Sequence, residues 1–328
     1  MSTLNLGHGS GGRLSAQLIR RFMDQFDERA EYKSLEDCAF ISPSTAVTID
    51  GFTISPRFFP GGDLGKLAIC GGTNDLAVRG SRPRFVALSI VAEEGLEEEE
   101  LLHHGRSAAQ VCRELDVKLV AGDTKIVPRG AVDGLFLTVA SLGEPVGAPL
   151  GMDRIRPGDL IAVTTAVGRH GATIGALRFG LNVPGLSSDC APLWPQIRHL
   201  ATMTGVRAMR DCTRGGLGTA LCEWAEGTGL GIEIDESAIP IDYEVLSVCD
   251  VLGFDPLHLA CEGCAVVAFQ RSAEEQVLSA LTNHPHGGSS TVIGTVTEEH
   301  PTMVGLRTTV GGLRVVDMPV GEILPRIC

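Results

Sequence analysis

TAVTIDGFTISPRFFPGGDLGKLAICGGTNDLAVRG, residues 45–80, sets a β-branched run, TAVTI at 45–49, ahead of a stretch with helical spacing at 63–79. A strand followed by a helix predicts a sheet with a helix laid on it. Within that helix Leu64, Ala68, Gly71 and Asp75 recur at spacings of four, three and four, so a carboxylate shares an apolar face. An ionised group there needs a compensating charge, either a metal ion or Arg79 one turn on.

Further strands are expected at RFVALSIVA (84–92), VKLVA (117–121) and GLFLTVASL (134–142), and a helix at 97–115 opens on the acidic run Glu97 to Glu100. The first half is therefore α+β. GEPVGAPLGMDRIRPGD, 143–159, breaks the pattern before LIAVTT at 160–165 restarts it. Helices are then expected near 169–179, 192–204, 215–227 and 272–282, and strands near 230–235, 264–269, 291–297 and 303–309. The organisation read from this is a first domain at 1–150, a second at 151–317 and a tail at 318–328. Pro319 and Pro325 deny the tail a continuous helix or central strand, so an extended, mobile segment ending in a thiol, Cys328, is expected.

With 328 residues, 44% of them apolar, the chain can bury two cores. Its formal charge of 27 − 40 = −13, with no basic cluster beyond Arg154 to Arg156, argues against a nucleic-acid or anionic-membrane surface. The opening MSTLNLGHGSGG has no signal-peptide pattern and no apolar run is long enough to cross a bilayer, so a cytoplasmic protein is expected. Ten scattered cysteines suit small buried hydrophobes in a reducing compartment.

Three further aspartates end apolar strands: Asp50 in TAVTID, Asp123 in KLVAGDT and Asp211 in VRAMRD. Carboxylates converging from separate elements make a hard oxygen site suited to Mg2+ and a substrate phosphate. In DCTRGGLGTALCEWAEG, 211–227, Asp211 and Thr213 precede a helix whose apolar stripe is Leu217, Ala220, Leu221 and Trp224. Gly215 and Gly216 would let an anion approach its N-terminus, unless they only start an ordinary capped helix. GHGSGG at 7–12 lacks the GK[ST] of a P-loop and reads as a linker or a phosphate-covering lid. Cys261 and Cys264, with Cys249 and His258 nearby, are too few for a confident zinc motif, and AVVAF after them reads as a buried strand.

In order along the chain, TIDGFTISPRFFPGGDLGKLAICGGTNDLAVRG, VAGDTKIV, DCTRGGLGTAL, ACEGC and the terminal PRIC resemble the HypE family of hydrogenase maturation factors over the full length. That family lies within the PurM-like ATP-binding superfamily. The resemblance implies a two-domain PurM-like α+β fold, with the N-terminal sheet paired in a homodimer and ATP held between domains near the dimer interface. It implies Mg2+–phosphate carboxylates at Asp50, Asp75, Asp123 and Asp211, and nucleotide neighbours at Lys66, Asn74, Thr124, Thr213, Gly215 and Gly216. It further implies that a carbamoyltransferase, HypF, loads Cys328 with a carbamoyl group, which ATP-driven dehydration turns into a thiocyanate. The cyano group would pass through a HypC–HypD complex to iron. Glu262 and Lys125 are the residues the resemblance offers for proton handling, as base and as charge stabiliser or ion-pair partner. The rival reading is a PurM-like kinase or synthetase of a free small molecule, which would tolerate loss of Cys328.

Overall fold

The computed structural model describes residues 3–9, 12–29, 36–319 and 327. The elements of the first half are α1 (Arg13–Met23), β1 (Ala39–Ser42), β2 (Thr45–Phe52), the short hairpin β3 (Phe58–Phe59) and β4 (Gly62–Asp63), α2 (Leu64–Val78), β5 (Ser81–Glu93), α3 (Glu98–Leu115), β6 (Lys118–Val127) and β7 (Leu135–Pro145). The second half adds β8 (Leu160–Val163), α4 (Arg169–Arg178), α5 (Trp194–Ile197), β9 (Val206–Asp211), α6 (Gly216–Thr228), β10 (Gly231–Asp235), α7 (Tyr243–Leu252), β11 (Ala265–Phe269), α8 (Glu274–Thr282), β12 (Thr291–Thr297), β13 (Val304–Arg307) and β14 (Leu313–Val316). The larger sheets run β1-β2-β7-β5-β6 and β14-β13-β10-β12-β8-β11-β9. In the first, α3 is the crossover that lets β6 lie parallel to β5, and the other pairs are antiparallel.

Helix α2 starts where Asp63 turns its carboxylate onto the free N–H groups of Gly65 and Lys66, at 2.8 and 3.2 Å. The sequence predicts an amphipathic helix, but thirteen of its fifteen residues are buried, all except Lys66 and Asp75. The cause is that α2 lies between the domains. Leu64, Leu67 and Ile69 join the first domain's core, whereas Ala77 and Val78 join the second domain's cluster around Leu160, Ile197 and Phe269. Close approach depends on Gly65, where a Cβ would stand 1.9 Å from the His104 carbonyl oxygen.

Asn74, in the last turns of α2, ties the halves together. Its Nδ2 donates to the carbonyls of Ala191 (3.1 Å) and Glu262 (3.4 Å), and its Oδ1 accepts from the Leu193 N–H at 2.7 Å. With both amide groups of its side chain bonded to backbone across the interface, Asn74 is a clamp between domains.

Several expectations need correction. The helix expected at 192–204 is the four-residue α5 followed by a 3-10 turn at Leu200–Thr202, because Pro195 and Gly205 bound the segment. β6 continues past residue 121 to Val127, so Asp123 sits inside an edge strand rather than at a strand end. The tail begins later than residue 318, since Met318 is buried in the second domain's core. Residues 320–326 and 328, with Cys328 among them, lie outside the described residues. Among the described residues no helix is long and apolar enough to cross a membrane.

Asn74→Ala should lower stability to urea by about 2–4 kcal/mol, because it leaves the Leu193 N–H and the Ala191 carbonyl unpaired in a dry interface. A loss below about 0.5 kcal/mol would mean that the domains are held elsewhere.

Candidate active site

A cleft of about 700 Å³ opens between the domains, large enough for a nucleotide. Strands β1 and β2 and the body of α2 form one wall, and the end of β9 with the start of α6 forms the other. Asp37 enters just before β1, Asp75 from α2 and Asp211 as the last residue of β9, and one carboxylate oxygen of each lies within 4.8 Å of the others. Thr48 Oγ1 on β2 donates to Asp75 Oδ2 at 2.7 Å. Asp50 lines the same cleft.

The electrostatics of this group are unfavourable as it stands. Burial, and then repulsion from Asp50, Asp211 and Asp37, pushes the Asp75 carboxyl well above its ordinary range. Asp211 is raised by burial and by Asp37 in the same way. Asp37 is pushed up to about 6 by burial, with the Arg210 guanidinium beside it pulling the other way. Arg210 Nε stands 3.4 Å from Asp37 while its Nη2 pairs with Glu223 at 2.8 Å. Asp37 Oδ2 is buried and has no hydrogen-bond partner. Three crowded hard-oxygen donors, one of them orphaned, fit a divalent cation, which would relieve both the repulsion and the orphan.

Arg79 does not neutralise Asp75. Its Nη1 pairs with Glu36 at 2.7 Å and its guanidinium stacks over Phe40, which removes the i,i+4 alternative to a metal.

Glu262 lines the cleft with only 2% of its surface exposed, and its Oε1 has no partner. Burial, followed by Cys190, Asp211 and Asp189, raises its carboxyl well above the usual range. The backbone around it is fixed by Asp189, whose carboxylate accepts from the N–H groups of Glu262 (3.1 Å) and Gly263 (3.2 Å). Asp189 is itself pushed up to about 7 by burial, against those two bonds.

Asp50, Asp75, Asp211, Thr213, Gly216 and Glu262 thus share one cleft. Gly215 and Gly216 take φ of 79° and 64°, and a Cβ on Gly216 would stand 2.6 Å from the Leu257 and Leu259 carbonyl oxygens. Packing of the α6 N-terminus explains both glycines, and Gly215 does not line the cleft. Lys66 Nζ donates to the Gly61 carbonyl at 2.8 Å, outside the cleft lining.

Asp123, Thr124 and Lys125 do not meet this group within one chain. They lie on the exposed edge strand β6, where Lys125 Nζ pairs with Asp123 at 2.9 Å. That hydrogen bond and charge lower the Asp123 carboxyl. A Lys125–Glu262 ion pair is therefore absent from the single chain, because β6 is the sheet's far edge from β1 and β2, which line the cleft that holds Glu262.

Asp37 escaped the sequence reading. It follows no apolar strand, and only the acidic pair Glu36–Asp37 directly ahead of the short strand β1 could have marked it. The Cys261-x2-Cys264 pair is structural: Cys261 Sγ accepts from the Gly168 N–H at 3.1 Å, and both thiols are fully buried in the second domain's core.

Comparison with known proteins agrees with this architecture. The model for the AIR synthase related protein, N-terminal domain, matches residues 35–144, and that for the C-terminal domain matches 156–305. Carbamoyl dehydratase HypE of Escherichia coli (strain K12) is 42% identical, with 100% of both chains covered. A crystal structure of a HypE–HypF complex superposes with a TM-score of 0.88 at 37% identity, covering 93% of this chain and 100% of that one. A crystal structure of HypE in complex with ATP superposes with a TM-score of 0.85 at 38% identity, covering 99% and 100%.

Millimolar Mg2+ should raise the melting temperature of this chain by several degrees, and Asp37→Asn or Asp211→Asn should abolish most of that rise. An undiminished rise in both variants would place the cation elsewhere. Asp189 gives a pH signature of its own. Its folded value lies above the unfolded one, so its contribution is full below about pH 4 and is lost as pH climbs through about 7. Urea titrations of wild type against Asp189→Asn should show wild type losing on the order of 2 kcal/mol of relative stability across that window, the size being limited by partial solvent contact.

Proposed function

Because the chain belongs to the HypE carbamoyl dehydratase family, we propose that it uses ATP to remove water from a carbamoyl group carried on its own Cys328. The product is a thiocyanate, the source of cyanide for the iron of a [NiFe]-hydrogenase during its maturation. What carries this reading in the structure is Glu262, a buried carboxyl with an unpartnered oxygen in the same cleft as a three-carboxylate cation seat.

Dehydration of S–CO–NH2 must expel an oxygen that is a very poor leaving group. The amide oxygen attacks the γ-phosphorus of ATP and ADP departs, so that with loss of one nitrogen proton an O-phosphorylated imidate, S–C(OPO3)=NH, remains. Removal of the last nitrogen proton then breaks the C–O bond and releases phosphate, leaving S–C≡N. Asp37, Asp75 and Asp211, with Asp50 beside them, would hold Mg2+, which when bound supplies charge neutralisation to the transferring phosphoryl group. Thr213 and Gly216 at the α6 N-terminus, with Arg210 behind them, offer the positive side of the cleft to the triphosphate. Glu262 is the proton acceptor: burial raises its affinity for a proton and so makes it a strong base once ionised, and the dry wall around it keeps water from competing for the carbamoyl group.

Asp123, Thr124 and Lys125 enter through a second copy. The first sheet leaves Ile41, Ile49, Leu119, Val120 and Ile126 each more than half exposed at its two ends, β1–β2 and β6, apolar surface suited to pairing with its own kind. In such a homodimer β6 of one copy would supply its three polar residues to the neighbour's cleft, where Lys125 can reach Glu262 or the carbamoyl oxygen. HypF is the expected donor of the carbamoyl group, a cytoplasmic HypC–HypD complex the acceptor of the cyano group.

Loaded with carbamoyl phosphate, ATP and HypF, the C-terminal peptide should gain one carbamoyl group on Cys328 and then lose one water when ATP is supplied. Glu262→Gln should accept the carbamoyl group yet dehydrate it about 10²–10⁴ times more slowly. ATP consumption with Cys328 unmodified, in the presence of active HypF, would instead favour a small-molecule kinase. The shared site has a sharper test, since Asp75→Asn and Asp123→Asn should each be inactive alone. Mixed and allowed to exchange subunits, they should recover about a quarter of wild-type activity, because half the dimers then hold one intact site. No recovery would confine each site to one chain.

A further inference from the structure

His170 and Ser188 lie outside the cleft lining, and their ring and hydroxyl atoms are all hydrogen-bonded. His170, in the first turn of α4, is fully buried. Its Nδ1 lies 2.7 Å from Ser188 Oγ, and Ser188 Oγ accepts from the Cys190 N–H at 3.0 Å. Nε2 faces the Ile327 carbonyl oxygen, which can only accept, so in the neutral ring the proton is on Nε2 and the Ser188 hydroxyl donates to Nδ1. That Nε2–H donates to the main-chain carbonyl of Ile327 at 2.8 Å. Burial holds the ring at about 4, so it is neutral and keeps this tautomer at physiological pH. Phe59 packs edge-on to the imidazole at a centroid distance of 5.3 Å and fixes its plane.

Ile327 is held by its side chain as well. It packs against the first domain's core and also against the cluster of Ala172, Leu186 and Leu259, and so fills a seam between the two. A main-chain carbonyl on a buried imidazole plus a branched side chain in an apolar seam fixes both the position and the register of the residue that directly precedes Cys328.

We propose that His170 and Ser188 are the receptor for the reactive tail, positioning residues that seat the Ile327 backbone and so present the terminal thiol for dehydration. This deepens the proposed function and rests on it for the word reactive. The receptor is also wired to Glu262. Ser188 orients the His170 ring that bonds the tail, its neighbour Asp189 holds the Glu262 and Gly263 N–H groups, and Ala191 and Leu193 are gripped by Asn74. One short segment, 188–193, thus carries the tail's seat at one end and the domain clamp at the other, with the catalytic carboxyl's anchor between. Specificity follows from the same contacts: the penultimate side chain must be apolar and β-branched to fill the seam, whereas the carbonyl bond is blind to sequence.

Two measurements on the full chain decide the matter. In single-turnover dehydration of carbamoylated protein, His170→Phe should slow the reaction about tenfold or more, while His170→Gln, which keeps a donor near Nε2, should stay within about threefold of wild type. ATP affinity should be unchanged in both. Equal rates in all three proteins, or slowing accompanied by lost ATP binding in both variants, would overturn the proposal. Should His170→Phe fail to fold, Ile327→Gly leaves both domains intact and should itself slow dehydration. The second readout does not depend on turnover. The His170 Nε2–H proton, observed by 15N NMR, should exchange with solvent about tenfold faster in Ile327→Gly than in wild type. Unchanged exchange would overturn the receptor even if dehydration is confirmed. Faster exchange would uphold it even if Cys328 proved not to be the site of dehydration.

Discussion

Asn74 holds the backbone of Ala191, Leu193 and Glu262 against a helix that belongs to the other domain, and the cleft takes its shape from that grip. Helix α2 can deliver an asparagine there only because it is buried on all sides, with Gly65 allowing α3 to close on it. The same helix carries Asp75 one residue on, so the clamp and the cation seat are set by adjacent positions. Any shift of α2 along its axis would move both at once. This is why a segment that looks like an ordinary core helix also sets the distance between Asp75 and Glu262.

A chain with a formal charge of −13 must bind a polyphosphate through local arrangement. It does so by concentrating negative charge rather than avoiding it. Two carboxylates about 5 Å apart repel by on the order of 3 kcal/mol at an effective dielectric near 20, and the three at this site are pairwise that close. Arg210 offsets part of this, but it divides its guanidinium between Asp37 and Glu223. The remainder is stored as raised carboxyl pKa values and an orphaned oxygen, and a small dication releases it. Glu262 feels the same field through Asp211, so a cation held there would also ease ionisation of the carboxyl proposed as the base.

The strands around 84–92, 134–142, 160–165 and 264–269 were legible because β-branched and apolar runs between turn residues have few other uses, and the structure places β5, β7, β8 and β11 there. The glycine-bounded α6 was legible for the same kind of reason. What depends on partners across the fold was not. Asp37 precedes a four-residue strand and gains its meaning only from Asp75 and Asp211, far along the chain. Asn74 reads as a polar site residue, and its clamping role appears only in its three backbone partners in the other domain. Residues 118–127 extend as a strand because β5 pairs with them, a tertiary effect that overrides the Gly122-Asp123 turn signal. Lys125 and Glu262 could be named from the resemblance, but the sequence does not show that Lys125 lies on the edge strand away from the cleft that holds Glu262.

A thiol that is loaded by a partner and then transformed in a cleft must be held firmly enough to react and loosely enough to leave. The contacts at Ile327 suit both demands. A neutral hydrogen bond contributes about 1 kcal/mol net, and the partial burial of one isoleucine side chain roughly 1–2 kcal/mol more. Together they favour the seated tail by roughly 30- to 200-fold, less whatever entropy the tail loses on docking. A charged latch in the same buried position would have bound far more tightly or demanded its own counter-ion, and either would slow departure. The neutral His170–Ser188 pair avoids both, because its protons are fixed by neighbours and no charge has to be buried or uncovered as the tail comes and goes. In the proposed cycle, a tail that releases without disturbing the domains would let one cysteine serve an external donor, an internal ATP site and an external acceptor in turn.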